Sequence, residues 1–313
     1  EIPLSANGSA IAFNNDGSRL VTADEDGNIG IWDISKLKAR VGYIEFKEFV
    51  REARFTPLGD SLIVNSDDFN VWKLPADQIT AFPDGTQGEI LLTTESLTYE
   101  TAVSPDSQWV AVVELDTEDT QKNRGTLVSI DGEIVFPLAH GGEVTDVGFT
   151  NDSSLVATAG ADGKILFWDV RSGETKFELD NLESVTSIAI SPSGSLIAVG
   201  LHDKTRVWDY STKALVEDSL EQSGDIVTVA FSPDGKMLAT GSADGSVILW
   251  KMDGNTFTQA GETISISGSR RMLLEFSPDN KWLAGGSFGF AYLWDTATVQ
   301  EFASAGSPSA FPC

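Results

Sequence analysis

The sequence predicts an all-β fold, a seven-bladed β-propeller of four-stranded antiparallel blades. Three observations predict it: one pattern of about 40 residues recurs seven times, tryptophans mark its period, and short turn motifs separate stretches of β-forming residues. One such unit cannot bury both faces of its sheet, so neighbouring units must stack. Closing the stack into a ring leaves only short sheet edges exposed.

Each copy of the repeat has the same order of local signals. An alternating apolar stretch is followed by a turn of the form S-P-D-G, a second apolar stretch, a D-G turn and a strand that ends at tryptophan. The clearest copies span residues 144–170, 185–210 and 227–252, and weaker copies span 10–34, 50–74 and 272–296. Residues 99–131 form a degenerate copy, with Ser129 where the tryptophan is expected. This spacing is typical of four-stranded propeller blades.

The tryptophans measure the period of the repeat. Six of the eight are predicted to share one position: Trp32, Trp72, Trp168, Trp208, Trp250 and Trp294. Neighbours in this series are 40, 40, 42 and 44 residues apart, except for the 96 residues between Trp72 and Trp168 that contain the degenerate copy. At a position shared by the blades, a large aromatic side chain is expected to pack between blades rather than to stack on a ligand.

The strands and turns inside a blade follow from residue types. Residues 164–168 and 246–250 mix β-branched, aromatic and aliphatic side chains, which suit a sheet covered on both faces. The S-P-D-G turn at 232–235 places proline where φ is already restricted and glycine where a turn can require a positive φ. The D-G pairs that begin at Asp162 and Asp244 favour type I′ hairpins.

On these residues the chain resembles the WD-repeat family along essentially its whole length. The W-D dipeptide is intact at Trp32-Asp33, Trp168-Asp169, Trp208-Asp209 and Trp294-Asp295. In that family the turn aspartate before the tryptophan strand joins a buried network with a histidine, a hydroxyl side chain and the tryptophan. The resemblance implies this network only in blade 4, from His140, Asp162, Trp168 and the hydroxyl of Thr158 or of a nearby residue. His140 and Asp162 are therefore expected to be structural. The other blades are expected to rely more on apolar packing.

The ring must be closed, and two segments compete for this role. In proteins similar to this one, a terminal strand completes the last blade. Ile2–Leu4 and Val299–Phe302 both lie where that strand would run, and we favour the C-terminal segment. We expect residues 1–313 to form a single propeller domain that is excised from or part of a larger protein. The start at Glu1, without a methionine, fits a trimmed chain, a processed protein or an excised domain, and these readings stay open.

The charge balance argues against two classes of partner. The chain has 47 acidic and 21 basic residues, a formal net charge of −26, so its field repels nucleic-acid phosphates and anionic lipid. No apolar run approaches the roughly 18–20 residues of a membrane-spanning helix. We therefore expect no nucleic-acid or membrane partner. No signal peptide is visible in the sequence, so we expect a cytoplasmic protein, and we expect the propeller to be monomeric. The acidity serves either solubility or an acidic interface, and both readings stay open.

The residues that carry catalysis and metal binding are scarce. Cys313 is the single cysteine, and His140 and His202 are the only histidines, so neither an intramolecular disulfide nor a multi-histidine metal site can form. No G-x-S-x-G, phosphate-binding loop or spaced Cys/His set occurs. We expect a protein that is not an enzyme and has no catalytic residues, no cofactor and no metal.

Recognition is expected where the blades differ from each other. Proteins resembling this one meet ligands at the top face, formed by the connections into each innermost strand and the turns before each tryptophan strand. On blades 2, 3 and 7 this face carries residue types enriched in interface hot spots: Phe49, Arg51, Leu97, Tyr99, Arg270, Met272 and Phe288. The alternative, that Phe49, Tyr99 or Met272 packs between loops, stays open. The long turn 115–123 of blade 3 should project beside these residues.

The function that these observations favour is a non-catalytic interaction or sensing scaffold. It would bind a peptide, a protein or another domain of its parent chain through the top face. The alternative is a binding module for a cation or a basic peptide, attracted by the acidic surface, and a propeller-type hydrolase is the third reading. Salt dependence separates the first two, because an acidic site predicts a steep one.

Overall fold

Strands account for nearly all of the regular structure. The computed structural model describes residues 8–24, 26–36, 40–45, 49–76, 88–115, 124–180, 183–266, 272–287 and 290–306. These ranges contain 29 strands and a short 3-10 helix at Ile34–Lys36. The strands form seven antiparallel sheets, which confirms the predicted all-β, seven-bladed propeller.

Each sheet is one blade, and its main strands follow each other in the sequence. Blade 1 consists of β1 (Gly8–Phe13), β2 (Arg19–Asp24), β3 (Asn28–Asp33) and β4 (Arg40–Glu45). Blade 2 consists of β5 (Val50–Phe55), β6 (Ser61–Ser66), β7 (Asn70–Pro75) and β8 (Glu89–Thr93). Blade 3 consists of β9 (Leu97–Val103), β10 (Trp109–Leu115), β11 (Arg124–Ser129) and β12 (Val135–Leu138).

The other four blades repeat this order. Blade 4 consists of β13 (Val144–Phe149), β14 (Leu155–Gly160), β15 (Ile165–Asp169) and β16 (Thr175–Leu179). Blade 5 consists of β17 (Ser187–Ile190), β18 (Leu196–Gly200), β19 (Lys204–Asp209) and β20 (Ala214–Glu221). Blade 6 consists of β21 (Ile226–Phe231), β22 (Met237–Ser242), β23 (Ser246–Asp253) and β24 (Thr256–Gln259), and the short β25 (Ile264–Ser265) also pairs with β23. Blade 7 consists of β26 (Met272–Phe276), β27 (Trp282–Ser287), β28 (Phe290–Asp295) and β29 (Gln300–Gly306).

The first strand of each blade lies innermost. These first strands, β1, β5, β9, β13, β17, β21 and β26, contact each other in succession around a central channel. Because neighbouring strands are antiparallel, the connections into the first strands and the turns between second and third strands lie at one end of the channel, the top face. The turns between first and second strands, and between third and fourth, lie at the other end, the bottom face.

The second strand of a blade is deeply buried because adjacent blades cover both of its faces. All six residues of β6 are buried, and so are the five central residues of β10. Their central residues, 62–64 and 110–113, are accordingly apolar without alternation. Between blades 3 and 4, Ala111 and Val113 pack with Val147 and Val156. Burying such aliphatic side chains contributes roughly 1.5–3 kcal/mol each.

Within the described residues, the ring closes by packing between blades 7 and 1. β29 pairs with β28, which confirms that the C-terminal segment completes blade 7; Ile2–Leu4 lies outside the described residues. Ile11 and Phe13 of blade 1 pack against Leu293 of blade 7. The Phe13 main-chain N–H also donates to Glu275 Oε1 at 3.0 Å, so one polar contact accompanies the apolar ones.

Two of the predicted registers are wrong. The shared tryptophan position, in which Trp168 faces Val156 across the sheet, is filled by Leu74 in blade 2 and by Val128 in blade 3. Trp72 therefore lies two residues before that position and faces Val64, although the hairpin of blade 2 is as long as that of blade 4. Ser129 lies one residue after the position in blade 3. Tryptophan fills it in the five remaining blades, as Trp32, Trp168, Trp208, Trp250 and Trp294.

In most blades, the second-strand residue that lies beside the shared tryptophan position is suited to the side chain found there. Thr22, Thr158 and Thr240 accept the indole N–H of their blade's tryptophan at 2.9, 2.9 and 3.0 Å. In blades 2 and 3, where the occupant is aliphatic, the equivalent residues are Val64 and Val112. A buried indole N–H needs an acceptor and an aliphatic side chain does not, which explains the pairing of residue types.

Candidate interaction surface around the channel mouth

The innermost strands enclose a channel of about 700 Å³, and charged side chains cluster inside it. Arg54 Nε donates to Glu52 Oε1 at 2.5 Å, and the Arg54 guanidinium lies 3.4 Å from Glu100 and 4.0 Å from Glu275. Carboxylates from blades 2, 3 and 7 therefore meet at one guanidinium. Such charge-assisted contacts restrain the ring from its inside.

The carboxylates of the channel carry shifted pKa values. Burial raises the pKa of Glu275 to about 6, although Arg54 opposes the shift. Burial also raises the pKa of Asp146 to about 6, against hydrogen bonds that it accepts from blade 5. For Arg54, burial alone would lower the pKa, but the three neighbouring carboxylates outweigh burial and raise it. The guanidinium thus stays charged, and the two acids titrate near neutral pH.

A repeated hydrogen bond joins adjacent blades at the top of the channel. Tyr99, Thr145 and Thr186 occupy equivalent positions in blades 3, 4 and 5. Each hydroxyl lies close to a main-chain carbonyl oxygen at the start of the next blade, at 3.0, 2.9 and 2.5 Å respectively. The Tyr99 hydroxyl, predicted to face a partner, is therefore part of the scaffold.

Phe49 and Arg51, also predicted to contact a partner, lie together on the rim of blade 2. The Arg51 guanidinium lies 5.2 Å from the centroid of the Phe49 ring. It also pairs with both carboxylate oxygens of Asp67 in the turn between β6 and β7. The Arg51 side chain is 19 % exposed, so this cation–π and ion-pair arrangement is held in place at the edge of the channel.

The structure separates the other predicted contact residues. Met272 is buried with 2 % exposure and packs with Leu274 between blades 6 and 7, where its sulfur fills the space above Gly241. Its side chain is therefore withdrawn from the surface. Leu97 is half-buried at the start of β9. Arg270 and Phe288 lie outside the described residues.

Phe69 is an exposed aromatic residue that the sequence reasoning missed. Its side chain is 43 % exposed in the top-face turn between β6 and β7, and its φ of 63° is unfavourable for a bulky residue. Its carbonyl accepts the Thr94 N–H at 2.8 Å, which ties this turn to the connection that leads to Leu97. The corresponding turns of three other blades carry glycine with positive φ: Gly27, Gly163 and Gly245. The signal in the sequence that could have identified Phe69 was an aromatic residue at a turn position where other blades have glycine.

The base of the long turn of blade 3 is anchored by a buried carboxylate. Glu114 accepts hydrogen bonds from the Thr126 hydroxyl and, at 3.2 Å, from Arg124, which also reaches Glu95 at 3.0 Å. Only 4 % of the Glu114 side chain is exposed. These contacts fix where residues 116–123, which lie outside the described residues, leave and re-enter the blade next to Leu97.

Two further findings concern other kinds of site. In the part of the chain that the structure describes, no three His, Cys, Asp or Glu side chains are placed to hold a metal ion. No helix in that part has the length and apolar character needed to cross a bilayer.

Comparison with known proteins decides the family. The family model described as WD domain, G-beta repeat matches residues 8–33, 132–169, 176–209 and 217–251. The chain belongs to the WD-repeat β-propellers. A chain of the crystal structure of the mitotic checkpoint complex superposes with a TM-score of 0.69 and 17 % identity, covering 89 % of this chain and 83 % of that one, and this likeness shows the fold. A search of the curated proteins found no significant match.

WD-repeat propellers are generally non-catalytic scaffolds, and this chain is a protein-interaction scaffold in that general sense. In blade 4, the polar network expected of the family is present as two separate pairs of residues. Trp168 donates to Thr158 at 2.9 Å, and His140 Nδ1 lies 3.2 Å from Asp162. Among the described residues no hydrogen bond joins the two pairs, and His140 Nε2 is buried without a partner.

Blade 6 of this WD-repeat propeller completes the network with a different residue. Trp250 donates to Thr240 at 3.0 Å, Thr240 donates to Gln222 Oε1 at 2.6 Å, and Gln222 Nε2 donates to the Ser246 hydroxyl at 2.9 Å. Gln222 thus provides both an acceptor and a donor, as a histidine would. The sequence reasoning, which looked for histidine, missed this continuous chain of hydrogen bonds.

Proposed function

We propose that this WD-repeat propeller binds a protein or peptide through the top face of blades 2 and 3. The partner is a separate protein or another domain of the parent chain. The proposed contact area, the blade 2–3 patch, consists of Phe49, Arg51, Phe69 and Leu97. The exposed ring of Phe69, two residues after the Asp67 that pairs with Arg51, carries the proposal. Aromatic and arginine side chains are the types that most often dominate interface affinity.

The electrostatics of the patch support a mainly apolar contact. The chain carries a formal net charge of −26, yet Arg51 and Asp67 compensate each other at this part of the rim, which leaves Asp68, directly before Phe69, as the further carboxylate of this turn. The centre of a typical interface is depleted of uncompensated charge. Binding here should therefore depend only modestly on salt, whereas binding to an acidic surface would weaken steeply as salt is added.

The substitution Phe69→Asn tests the patch. It removes the ring while keeping a residue type that tolerates positive φ, so the turn should fold as before. The matched control is Leu58→Asn, because Leu58 is 63 % exposed on the bottom face of the same blade. Affinity purification followed by direct binding should show one partner retained by the wild type and by Leu58→Asn, and lost by Phe69→Asn. If Phe69→Asn retains that partner with unchanged affinity, the patch is not the site.

Two further variants test how far the interface extends. Arg270→Glu and deletion of residues 115–123 alter segments predicted to flank the patch on blades 7 and 3. Loss of the same partner at an unchanged melting temperature would extend the interface to those blades. Normal binding by both would confine it to Phe49, Arg51, Phe69 and Leu97.

A further inference from the structure

Two of the tryptophans that lie outside the shared position occupy equivalent positions, each in its own blade. Trp109 and Trp282 each begin the second strand of their blade and face Ser129 and Asp295 across the sheet. Each lines a groove on the bottom face between its own blade and the next. The groove between blades 3 and 4 has a volume of about 500 Å³, and that between blades 7 and 1 about 660 Å³.

The groove between blades 3 and 4 combines an indole with an excess of negative charge. Phe136 stacks on Trp109 with the ring centroids 6.4 Å apart, which fixes the orientation of the indole. The charged side chains that line the groove are Asp106, Asp131, Asp152, Asp169 and Arg171. Four carboxylates against one guanidinium leave three negative charges in excess.

Three of these carboxylates keep one oxygen for a ligand. Oδ1 of Asp106, Asp131 and Asp152 accepts both a hydroxyl of its own turn and a main-chain N–H two residues on. The Ser129 hydroxyl lowers the pKa of Asp131, and the Thr150 hydroxyl lowers that of Asp152, so both acids stay ionised. Within the described chain, no hydrogen bond is donated to Oδ2 of any of the three.

Nearby lysines reduce this excess of negative charge without removing it. Lys176 lies 3.2 Å from Asp169 and neutralises it. Lys73 donates to the Ile130 carbonyl at 3.1 Å and acts weakly on Asp131. Asp106 and Asp152, one from each blade, remain as the strongest counter-charges for a ligand.

The groove between blades 7 and 1 has a tryptophan in the same place but no excess charge. Its charged lining consists of Asp33, Asp279, Arg19 and Lys281. Lys281 Nζ lies 2.8 Å from Asp279 Oδ2, so this groove supplies its own cation. Lys281 directly precedes Trp282, just as Gln108 directly precedes Trp109. The chain thus contains a neutral groove that differs from the acidic one at an identifiable residue.

We propose that the groove between blades 3 and 4 binds an arginine or lysine side chain of a peptide or protein. The cation lies against the indole of Trp109, between Oδ2 of Asp106 and Oδ2 of Asp152. Arginine fits better, because a planar guanidinium stacks on an aromatic ring and still pairs with carboxylates. The site lies on the face opposite the blade 2–3 patch and does not depend on it.

The test measures binding of three labelled glycine–serine peptides, each with one central arginine, lysine or glutamine, to the whole chain by fluorescence anisotropy. The arginine peptide should bind, more weakly as salt is added, and the glutamine peptide should not bind. Trp109→Leu should weaken binding by about 2- to 30-fold, the range of a cation–π contact. Equal binding of the arginine and glutamine peptides, or of neither, would overturn the proposal.

A second substitution, at an exposed position, gives the acidic groove the lysine that the neutral groove already has. Gln108→Lys places an ammonium group beside Asp106, as Lys281 lies beside Asp279, and position 108 is exposed, so the melting temperature should not change. It should weaken binding of the arginine peptide by about 3-fold or more. Lys281→Gln, which removes the ammonium group from the other groove, is the matched control and should not weaken binding. The site is disproved if Gln108→Lys binds like the wild type, or if Phe69→Asn abolishes binding, which would place the peptide on the top face.

Discussion

Trp208 has no hydroxyl to receive its indole N–H, because Val199 fills the place that threonine fills in blades 1, 4 and 6. In the described structure Trp208 Nε1 is buried and has no hydrogen-bond partner. An unsatisfied buried donor costs about 1–3 kcal/mol. Blades 2 and 3 avoid this cost with aliphatic residues at both places, whereas blade 5 combines the tryptophan with a valine.

Val199→Thr should therefore stabilise the protein. Threonine has nearly the shape of valine and supplies the missing acceptor, so the free energy of unfolding should rise by about 1 kcal/mol, which corresponds to ~1.5 °C in melting temperature at this chain length. Thermal denaturation followed by circular dichroism measures the shift. Val112→Thr is the control: it lies beside Val128, which offers no side-chain N–H, and should destabilise the protein. Equal shifts in both variants would refute the explanation.

Glu275→Gln should flatten the pH dependence of stability. Burial raises the pKa of Glu275 to about 6 in the folded state, above its ordinary value of 4.5. The folded state therefore holds this proton more tightly, so its contribution to stability is largest below pH 4.5 and is lost as the pH rises through 6. The amide introduced by the substitution cannot titrate, and the fall in melting temperature between about pH 5 and 7 should become shallower, with the part due to Asp146 remaining. An unchanged slope would show that Glu275 titrates below this range.

Ser153 should tolerate glycine better than alanine. Its φ is 58°, and its hydroxyl accepts the Asp106 N–H at 3.0 Å, which joins the bottom-face turns of blades 3 and 4. Ser153→Gly loses the hydrogen bond but relieves the backbone, so its unfolding free energy should stay within about 0.5 kcal/mol of the wild type. Ser153→Ala loses the bond and keeps the strain, and should be about 1–2 kcal/mol less stable. Chemical denaturation of the two variants compares them, and the opposite order would contradict the role of φ.

Tyr99→Phe should lower stability without affecting the partner. The hydroxyl of Tyr99 lies 3.0 Å from the Val144 carbonyl oxygen and joins blade 3 to blade 4. Its removal should cost about 1 kcal/mol of unfolding free energy, measured by denaturation. A binding assay with the partner that Phe69→Asn loses should show unchanged affinity. A loss of binding with unchanged stability would instead return Tyr99 to the interface.

The sequence located the repeats well but not every register inside them. The prediction for Trp72 was wrong because the tryptophan was used to set the register, whereas blade 2 has the same hairpin length as blade 4 and carries its tryptophan two residues earlier in the strand. The prediction for Ser129 was wrong because the long turn of blade 3 hides the alignment of β11 with β10. A pattern read along the chain cannot reveal such shifts, since pairing depends on the neighbouring strand.

The surface was harder to predict than the core. Met272 has a residue type common in interfaces, but its place opposite Gly241 of blade 6 makes it a core residue. Phe69 was overlooked because its exposure follows from the turn that carries it. Whether a given aromatic or methionine side chain packs or faces solvent depends on the next blade, which lies about 40 residues away in the sequence.

The sequence by itself determined the seven blades, the strand order within each blade and the absence of recognisable catalytic motifs, because periodic burial and turn chemistry are local properties repeated along the chain. Only the tertiary structure decided that Arg54 collects carboxylates from three blades, that Tyr99 serves the scaffold and that Trp109 lines an acidic groove. These relationships arise where separate blades meet, and the distances that decide charge, burial and hydrogen bonding exist only once the ring has closed.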